Sequence, residues 1–237
     1  MKAVILAGGK GTRLAPYTRI LPKPLMPIGD MPILEVLLRQ LKHAGIKDIV
    51  LTVGNLAALI KTYFLDGREF GLNITYSYED KPLGTAGPLA LVPGLDEPFF
   101  VMNGDVLTTL RFKDLLKFHR SQKAIATIAA HRRTVDIDFG VLHPKKRSFK
   151  LTDYVEKPSF EYLVSMGVYV FDPEVLCFIP KNKYLDFPDL VLKMIRAGKK
   201  VLHLPYDGYW KDLGRPSDYE EASLDFSNMR SQFLPEE

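Results

Sequence analysis

Cysteine is almost absent from this 237-residue chain, with Cys177 the only one. A single thiol cannot close an internal disulfide, so the composition fits a reducing setting and a cytoplasmic location. Cys177 lies in the apolar run VLCFI and is expected to be a buried, inert thiol rather than a nucleophile. Long hydrophobic runs are missing too. Nothing approaches the roughly 18 consecutive apolar residues that a membrane span requires. The N-terminal MKAVILAGG has too short an apolar stretch for a secretory signal and reads as a buried strand. Charge of either sign is modest, with a net +4. The densest basic run, PKKRSFK from Pro144, reads as a solvated hairpin tip. A nucleic-acid surface needs a broader basic face with stacking aromatics, so no nucleic-acid partner is expected. The histidines (His43, His119, His131, His143 and His203) show no metal-ligand spacing and are expected at surface or strand-end positions. No low-complexity linker and no internal repeat interrupts the chain, so residues 1–237 read as one domain.

What the chain does have is alternation. KAVILA, DIVLTV, NITYSY and PFFVMNGD read as strands, and PILEVLLRQLKHA, AALIKTYFLD and FKDLLKFHRSQ as helices between and after them. Pro32 and Gly45 bracket the first of these helices. This order predicts an α/β fold with a doubly wound, mostly parallel, Rossmann-like sheet and right-handed crossovers. After about residue 120 the character changes. AIATIAA, FGVLHP, FKLTDYVEKP and LVSMGVYVFD are strands with few helices between them, and helices around Pro188–Ala197 and Pro216–Phe226 follow. The expectation is a first half (about 1–120) that carries a nucleotide. The second half (about 121–226) extends the sheet and adds an antiparallel flap over its carboxyl edge.

In open α/β sheets ligands bind beyond the carboxyl ends of the strands. Three loops land there: the one after the first strand, the Asn103-Gly104-Asp105 turn, and the loop before GTAGP. The first reads LAGGKGTRLAPYTRILPKPL from Leu6 to Leu25. Without Cβ atoms, Gly8, Gly9 and Gly11 let backbone N–H groups approach phosphate oxygens. Arg13 offers a planar fork and Lys23 a compact charge. Two common phosphate motifs fail. No glycine stands where a P-loop needs it ahead of Lys10, and a GxGxxG begun at Gly9 would need glycine where Leu14 stands.

GGKGTRL, LPKPLMP, the NGD turn, VEKP and YWKDLGRP stand in the order and spacing of the sugar-1-phosphate nucleotidyltransferases. The chain resembles the catalytic domain of this nucleoside-diphosphate-sugar pyrophosphorylase family over essentially its whole length. EDKPLGTAGPLAL is most similar to the mannose-1-phosphate guanylyltransferase branch. The resemblance implies that a nucleoside triphosphate and a sugar 1-phosphate give nucleotide-sugar and pyrophosphate, with magnesium as cofactor. Such phosphoryl chemistry needs positive charge and held geometry rather than a nucleophilic side chain.

By motif position, Asp105 and Asp212 would hold Mg2+, and Arg13 and Lys23 would neutralise the triphosphate. Leu6, Gly8, Gly9, Gly11, Thr12, Arg13, Glu79 and Gly84 would contact the nucleotide. Gly140, Glu156 and Lys157 would hold the sugar phosphate, although on composition Glu156 and Lys157 also read as a surface ion pair before Pro158. Without an ion the two aspartates would repel each other, so replacing either by Asn is expected to leave stability unchanged. Glu79 stands where thymidylyl- and uridylyl-transferring relatives commonly have Gln. A carboxylate accepts only, which suits the adjacent donors of guanine. Met166 precedes Gly167 where relatives often have Asn or Thr, so sugar recognition differs locally. Trp210 is expected near the sugar end or in the core. GTP with mannose 1-phosphate or a manno-heptose 1-phosphate is the leading reading. UTP or dTTP with glucose 1-phosphate, or a non-catalytic nucleotide-sugar-binding subunit, are the alternatives. A homo-oligomer stays open.

Overall fold

The run KAVIL is apolar on both faces, and it becomes strand β1 (Lys2–Leu6) near the middle of a sheet that is covered on both sides. The computed structural model describes residues 1–9 and 11–234. After β1 come a small hairpin of β2 (Pro27–Ile28) and β3 (Met31–Pro32), α1 (Ile33–His43), β4 (Asp48–Val53) and α2 (Ala57–Phe64). Next are β5 (Asn73–Tyr78), β6 (Phe99–Asn103), β7 (Val106–Thr108) and α3 (Phe112–Gln122). The second half holds β8 (Ala126–Asp136), β9 (Val141–Pro144), β10 (Leu151–Val155) and β11 (Ser159–Phe171). It closes with α4 (Phe187–Arg196), β12 (Val201–Tyr206), β13 (Trp210–Asp212), α5 (Pro216–Asn228) and α6 (Arg230–Phe233).

The main sheet has seven strands in the order β12-β8-β11-β6-β1-β4-β5. Neighbours pair in parallel except β11, which runs antiparallel to both β6 and β8. One sheet therefore runs through both halves of the chain. Alternate residues of β1 face different cores. Ala3 and Ile5 meet α1, α2 and α3, whereas Val4 meets α4 and the 3-10 turn Gly87–Leu91. In α1, Leu34, Leu37, Leu38 and Leu41 make one buried stripe, and Gly45 ends the helix with φ of 84°. Each such leucine contributes about 1.5–3 kcal/mol of transfer free energy. A third cluster packs Ile28, Leu107, Leu213, Phe226 and Phe233 together, tying the C-terminal helices to the β2–β3 hairpin.

The strands and helices read from the sequence are present, with instructive differences. β8 and β11 are longer than their apolar cores, because Arg132–Asp136 and Ser159–Val164 continue to pair beyond the sheet as an exposed two-stranded ribbon. With the β9–β10 hairpin this ribbon makes the flap. PKKRSFK forms the hairpin's tip, where the Lys145 N–H donates to the Lys150 carbonyl at 2.9 Å. Cys177 is exposed rather than buried. VLCFI folds mostly as a 3-10 turn, Pro173–Phe178, which buries Val175 and turns the thiol outward. His119 is buried on α3 instead of lying at the surface. Among the described residues no helix is long and apolar enough to cross a membrane.

Candidate active site

Leu6 lies opposite both Thr52 of β4 and Asn103 of β6, so three strand ends open onto one edge. This is where the strand order reverses about β1, the usual position of a crevice in a doubly wound sheet. Glycine decides how closely the loops approach there. A Cβ on Gly8 would lie 3.2 Å from the Gly54 nitrogen, and one on Gly104 would lie 3.0 Å from the Leu6 carbonyl. Gly11 has φ of 60°, and its carbonyl accepts from the Thr18 hydroxyl at 2.7 Å. Two adjoining spaces result, meeting at Leu6, Gly9 and Asp105. The larger, of ≈ 700 Å³, is lined in part by Gly8, Glu79 and Gly84. The smaller, of ≈ 270 Å³, is lined by Gly11, Thr12, Arg13 and Lys23 among others. Every residue expected at the nucleotide thus borders one space or the other.

The charged centre is built by pairing across the chain. β13 lies antiparallel to β7 with Asp212 opposite Val106, and the Leu213 N–H donates to the Asp105 carbonyl at 3.3 Å. Asp105 and Asp212, 107 positions apart in the sequence, thereby share a neighbour. The Lys23 ammonium is buried, makes a short ion pair with Asp105 Oδ2, and lies 3.5 Å from Asp212 Oδ1. The stated ground for unchanged stability, two mutually repelling aspartates, does not hold for Asp105, whose carboxylate is the close counter-charge of a buried ammonium. The other oxygen, Asp105 Oδ1, is buried and makes no hydrogen bond among the described residues. An all-oxygen pair of carboxylates with one buried lone acceptor fits a hard divalent cation, which takes its remaining ligands from phosphate and water. Arg13 closes this end, since a Cβ on Gly214 would lie 3.0 Å from both terminal guanidinium nitrogens.

At the opposite end Glu79 projects from the loop after β5. Its Oε2 accepts the Leu83 N–H at 2.7 Å, and its Oε1 lies 3.5 Å from where a Gly8 Cβ would stand. Gly84, at φ of 77°, passes so close to the Leu185 carbonyl that a Cβ would come within 2.6 Å. Asp186 looks in sequence like a helix N-cap before Phe187 and Pro188. Its oxygens go elsewhere. Oδ1 accepts from the N–H and hydroxyl of Thr85, and Oδ2 from the Tyr184 hydroxyl at 2.6 Å. The Tyr184 bond first, and those from Thr85 after it, hold the Asp186 carboxyl below its usual range. Asn103 of the NGD turn lines the larger space, and so do Tyr184 and Asp186, which the sequence reading did not single out. No motif marks Tyr184 or Asp186; a tyrosine two residues before a capping-type Asp is the only signal.

The residues expected at the sugar lie on the flap, apart from this centre. Gly140 is overlain by the Tyr154 hydroxyl, which donates to Glu156 Oε2 at 2.8 Å. Lys157 is exposed at φ of 45° and makes no ion pair among the described residues. The surface ion pair of Glu156 and Lys157 is thus not formed. Among the described residues no hydrogen bond or ion pair joins Glu156 or Lys157 to Asp105, Asp212 or Lys23. Met166 is buried in the core, so its side chain does not face the cleft. The adjacent Gly167, at φ of 71°, is where the chain meets Asn103: a Cβ there would lie 2.6 Å from the Asn103 amide nitrogen. Trp210 is half-buried, donates its Nε1–H to the Met166 carbonyl at 3.0 Å and packs on His131 with ring centroids 5.4 Å apart.

Known proteins resemble this chain over nearly its whole length. Residues 2–228 match the family described as nucleotidyl transferase. The chain is 36% identical to a mannose-1-phosphate guanyltransferase of Yarrowia lipolytica, covering 100% of this chain and 67% of that protein. It is 37% identical to a UTP–glucose-1-phosphate uridylyltransferase of Synechocystis sp., covering 94% of this chain and 62% of that one. The chain thus spans about two thirds of the length of these curated relatives. Among solved structures, HddC from Yersinia pseudotuberculosis complexed with GMP-PN superposes with a TM-score of 0.72 at 25% identity, covering 95% of this chain and 99% of that one. A glycine loop, paired aspartates and flanking cations assembled at one sheet edge agree with a match that runs through almost every element of the fold, and the chain belongs to the nucleotidyl transferase family.

Proposed function

We propose that the protein transfers a guanylyl group from GTP to a sugar 1-phosphate of manno configuration, mannose 1-phosphate or a manno-heptose 1-phosphate, releasing pyrophosphate in the cytosol. The observation that carries the choice of base is Glu79. One of its oxygens caps the loop at Leu83, and the other stays on the cleft side next to Gly8. A carboxylate so held accepts from the ring N–H and exocyclic amine of guanine, whereas uracil or thymine would set a carbonyl oxygen against it. The guanine-type ligand of the HddC structure and the guanylyl chemistry of the Yarrowia relative support this reading.

In the reaction a phosphate oxygen of the sugar 1-phosphate bonds to the α-phosphorus, and the bond from that phosphorus to the bridging oxygen breaks. Lys23 and Arg13 counter the negative charge that gathers there, and the glycine backbone holds the phosphates in line. Asp105 and Asp212 would hold Mg2+, which when bound screens the phosphate oxygens. Glu156 and Lys157, on the flap, would hold the acceptor sugar and its phosphate.

The uridylyltransferase relative favours a second reading, UTP or dTTP with glucose 1-phosphate. Glu79→Gln separates the two. Its amide oxygen can still accept from Leu83, while its NH2 group now faces the base. The kcat/KM for GTP should fall about 10- to 100-fold, and that for UTP or dTTP should rise relative to it. Pyrophosphate release across a panel of nucleotides and sugar 1-phosphates is the measurement. An unchanged base preference would overturn the guanine reading.

A further inference from the structure

The basic run from Pro144 to Lys150 lines neither space of the cleft. It forms the tip of the β9–β10 hairpin, where three hydrogen bonds hold one turn. The Lys145 N–H donates to the Lys150 carbonyl at 2.9 Å, the Ser148 N–H to the Lys145 carbonyl at 3.1 Å, and the Lys150 N–H to Ser148 Oγ at 3.1 Å. The turn carries Lys145, Lys146, Arg147 and Lys150, and none has an ion-pair partner among the described residues. No acidic residue stands between Asp138 and Asp153. The whole chain has 32 basic and 28 acidic residues, so its excess of four charges equals what this one turn holds. Four like charges on a projecting turn repel one another and draw an extended anion.

Among these cations stands an apolar group with nothing to bury it, since Phe149 is fully exposed. Behind the tip Leu151 pairs with Pro144, and Tyr154 with Leu142. Opposed and alternate residues of a hairpin point the same way, so these four share one face, and all four are exposed. Large apolar groups seldom stay together on a surface that nothing meets. An anionic lipid bilayer offers the matching order in depth, with negative headgroups outside and an apolar layer just beneath. We propose that this hairpin tip docks on such a bilayer, with its four cations among the headgroup phosphates and Phe149 entering the acyl boundary. The four residues of Val141–Pro144 carry the tip about 13 Å beyond Gly140, at ~3.3 Å each, so docking leaves the cleft uncovered.

Co-sedimentation of the full chain with lipid vesicles tests the proposal. Phosphatidylcholine vesicles with about one third phosphatidylglycerol should take up the protein, and pure phosphatidylcholine should not. Raising salt from about 50 to about 200 mM should release it. Lys146→Gln combined with Arg147→Gln should weaken binding about 25-fold, or about fivefold per charge. Phe149→Ser should weaken it about 10-fold with the charge unchanged. Phe149→Trp should bind like the wild type, and its emission should shift to the blue on anionic vesicles. That of the wild type, which has only Trp210, should not. Melting temperature and pyrophosphate release should stay at wild-type values in every variant, because the tip lies outside both core and cleft. No uptake by anionic vesicles at about 50 mM salt would overturn the proposal. So would wild-type affinity in Phe149→Ser, which would mean adsorption by charge alone. Retention on duplex DNA that depends on Phe149, with no uptake by vesicles, would assign the tip to a nucleic acid and overturn it as well.

Discussion

The phosphate end of the cleft and the flap are built on opposite physical principles. At the phosphate end close contacts beside the buried sheet fix the backbone and one ion pair: Gly8 against Gly54, Gly104 against Leu6, and Lys23 against Asp105. The flap has no core beneath it. Phe139 is 77% exposed and Phe149 fully so, and Tyr154, Tyr162 and Leu163 are open to solvent as well. Its strands are held by cross-strand hydrogen bonds and a few polar contacts such as Ser159 to Asp136. On the proposed reading, metal and triphosphate would sit on strand ends, where positions are held tightly. On the same reading the sugar would meet a segment with few buried contacts of its own, which can open and close at low cost.

The largest effects should come from the rigid end. Asp105→Asn and Asp212→Asn should each lower turnover about 100-fold or more, equivalent to roughly 3 kcal/mol of transition-state stabilisation. Stability should tell them apart. Asp105 is the close counter-ion of a lysine whose side chain is only 8% exposed, whereas Asp212 is 42% exposed and 3.5 Å from the same ammonium. Asp105→Asn should therefore cost about 1–3 kcal/mol of folding free energy, and Asp212→Asn under about 0.5. Pyrophosphate-release assays at saturating magnesium and melts without it provide both readings. Equal melting temperatures for the two variants would mean that Lys23 does not depend on Asp105.

The flap should respond in the opposite pattern. Lys157→Ala removes an exposed cation with no ion-pair partner among the described residues, so KM for the sugar 1-phosphate should rise about 10-fold with no change in melting temperature. Lys23→Ala should instead depress turnover, weaken nucleotide use and lower the melting temperature together. A Lys157→Ala protein that melted several degrees lower would show that the flap carries a folded-state contact, and the contrast between the regions would break.

The same division explains what the sequence made legible. β1, β4 and β6 could be read because burial on both faces demands unbroken apolar runs, and their ends then locate the glycine loop and the NGD turn. The outer halves of β8 and β11 are not legible, since Arg132, Arg133 and Glu161 satisfy no core and are held by backbone pairing and exposed ion pairs. Cys177 is exposed within an apolar run because successive side chains of a 3-10 turn point about 120° apart, so burying Val175 leaves Cys177 on another face. The pairing of Asp105 with Asp212 came from resemblance; no local signal brings β13 beside β7. Tyr184 and Asp186 escaped for a related reason, since their role depends on Thr85, a residue about a hundred positions away.

The smallest predicted effect tests where the flap's ribbon is anchored. His119 of α3 is only 2% exposed, and its Nδ1 lies 2.9 Å from the Thr127 hydroxyl, on the buried half of β8. Burial pushes the imidazole below its ordinary value of 6.5; Asp172 opposes this and Arg120 adds to it. The folded state therefore resists protonation more than the unfolded chain does. Above pH 6.5 both forms are neutral and His119 has no effect on the pH dependence. As the pH falls below 6.5 the unfolded chain takes up the proton first, so stability drops until the folded-state value is reached. The slope from this one group cannot exceed about 1.4 kcal/mol per pH unit. His119→Asn keeps a side-chain partner for Thr127 but cannot titrate. Urea midpoints measured from pH 7.5 down to about 5.5 should fall more steeply for the wild type than for this variant. Parallel pH profiles would mean that α3 releases His119 to solvent, and that the buried half of β8 is no better anchored than the ribbon it continues into.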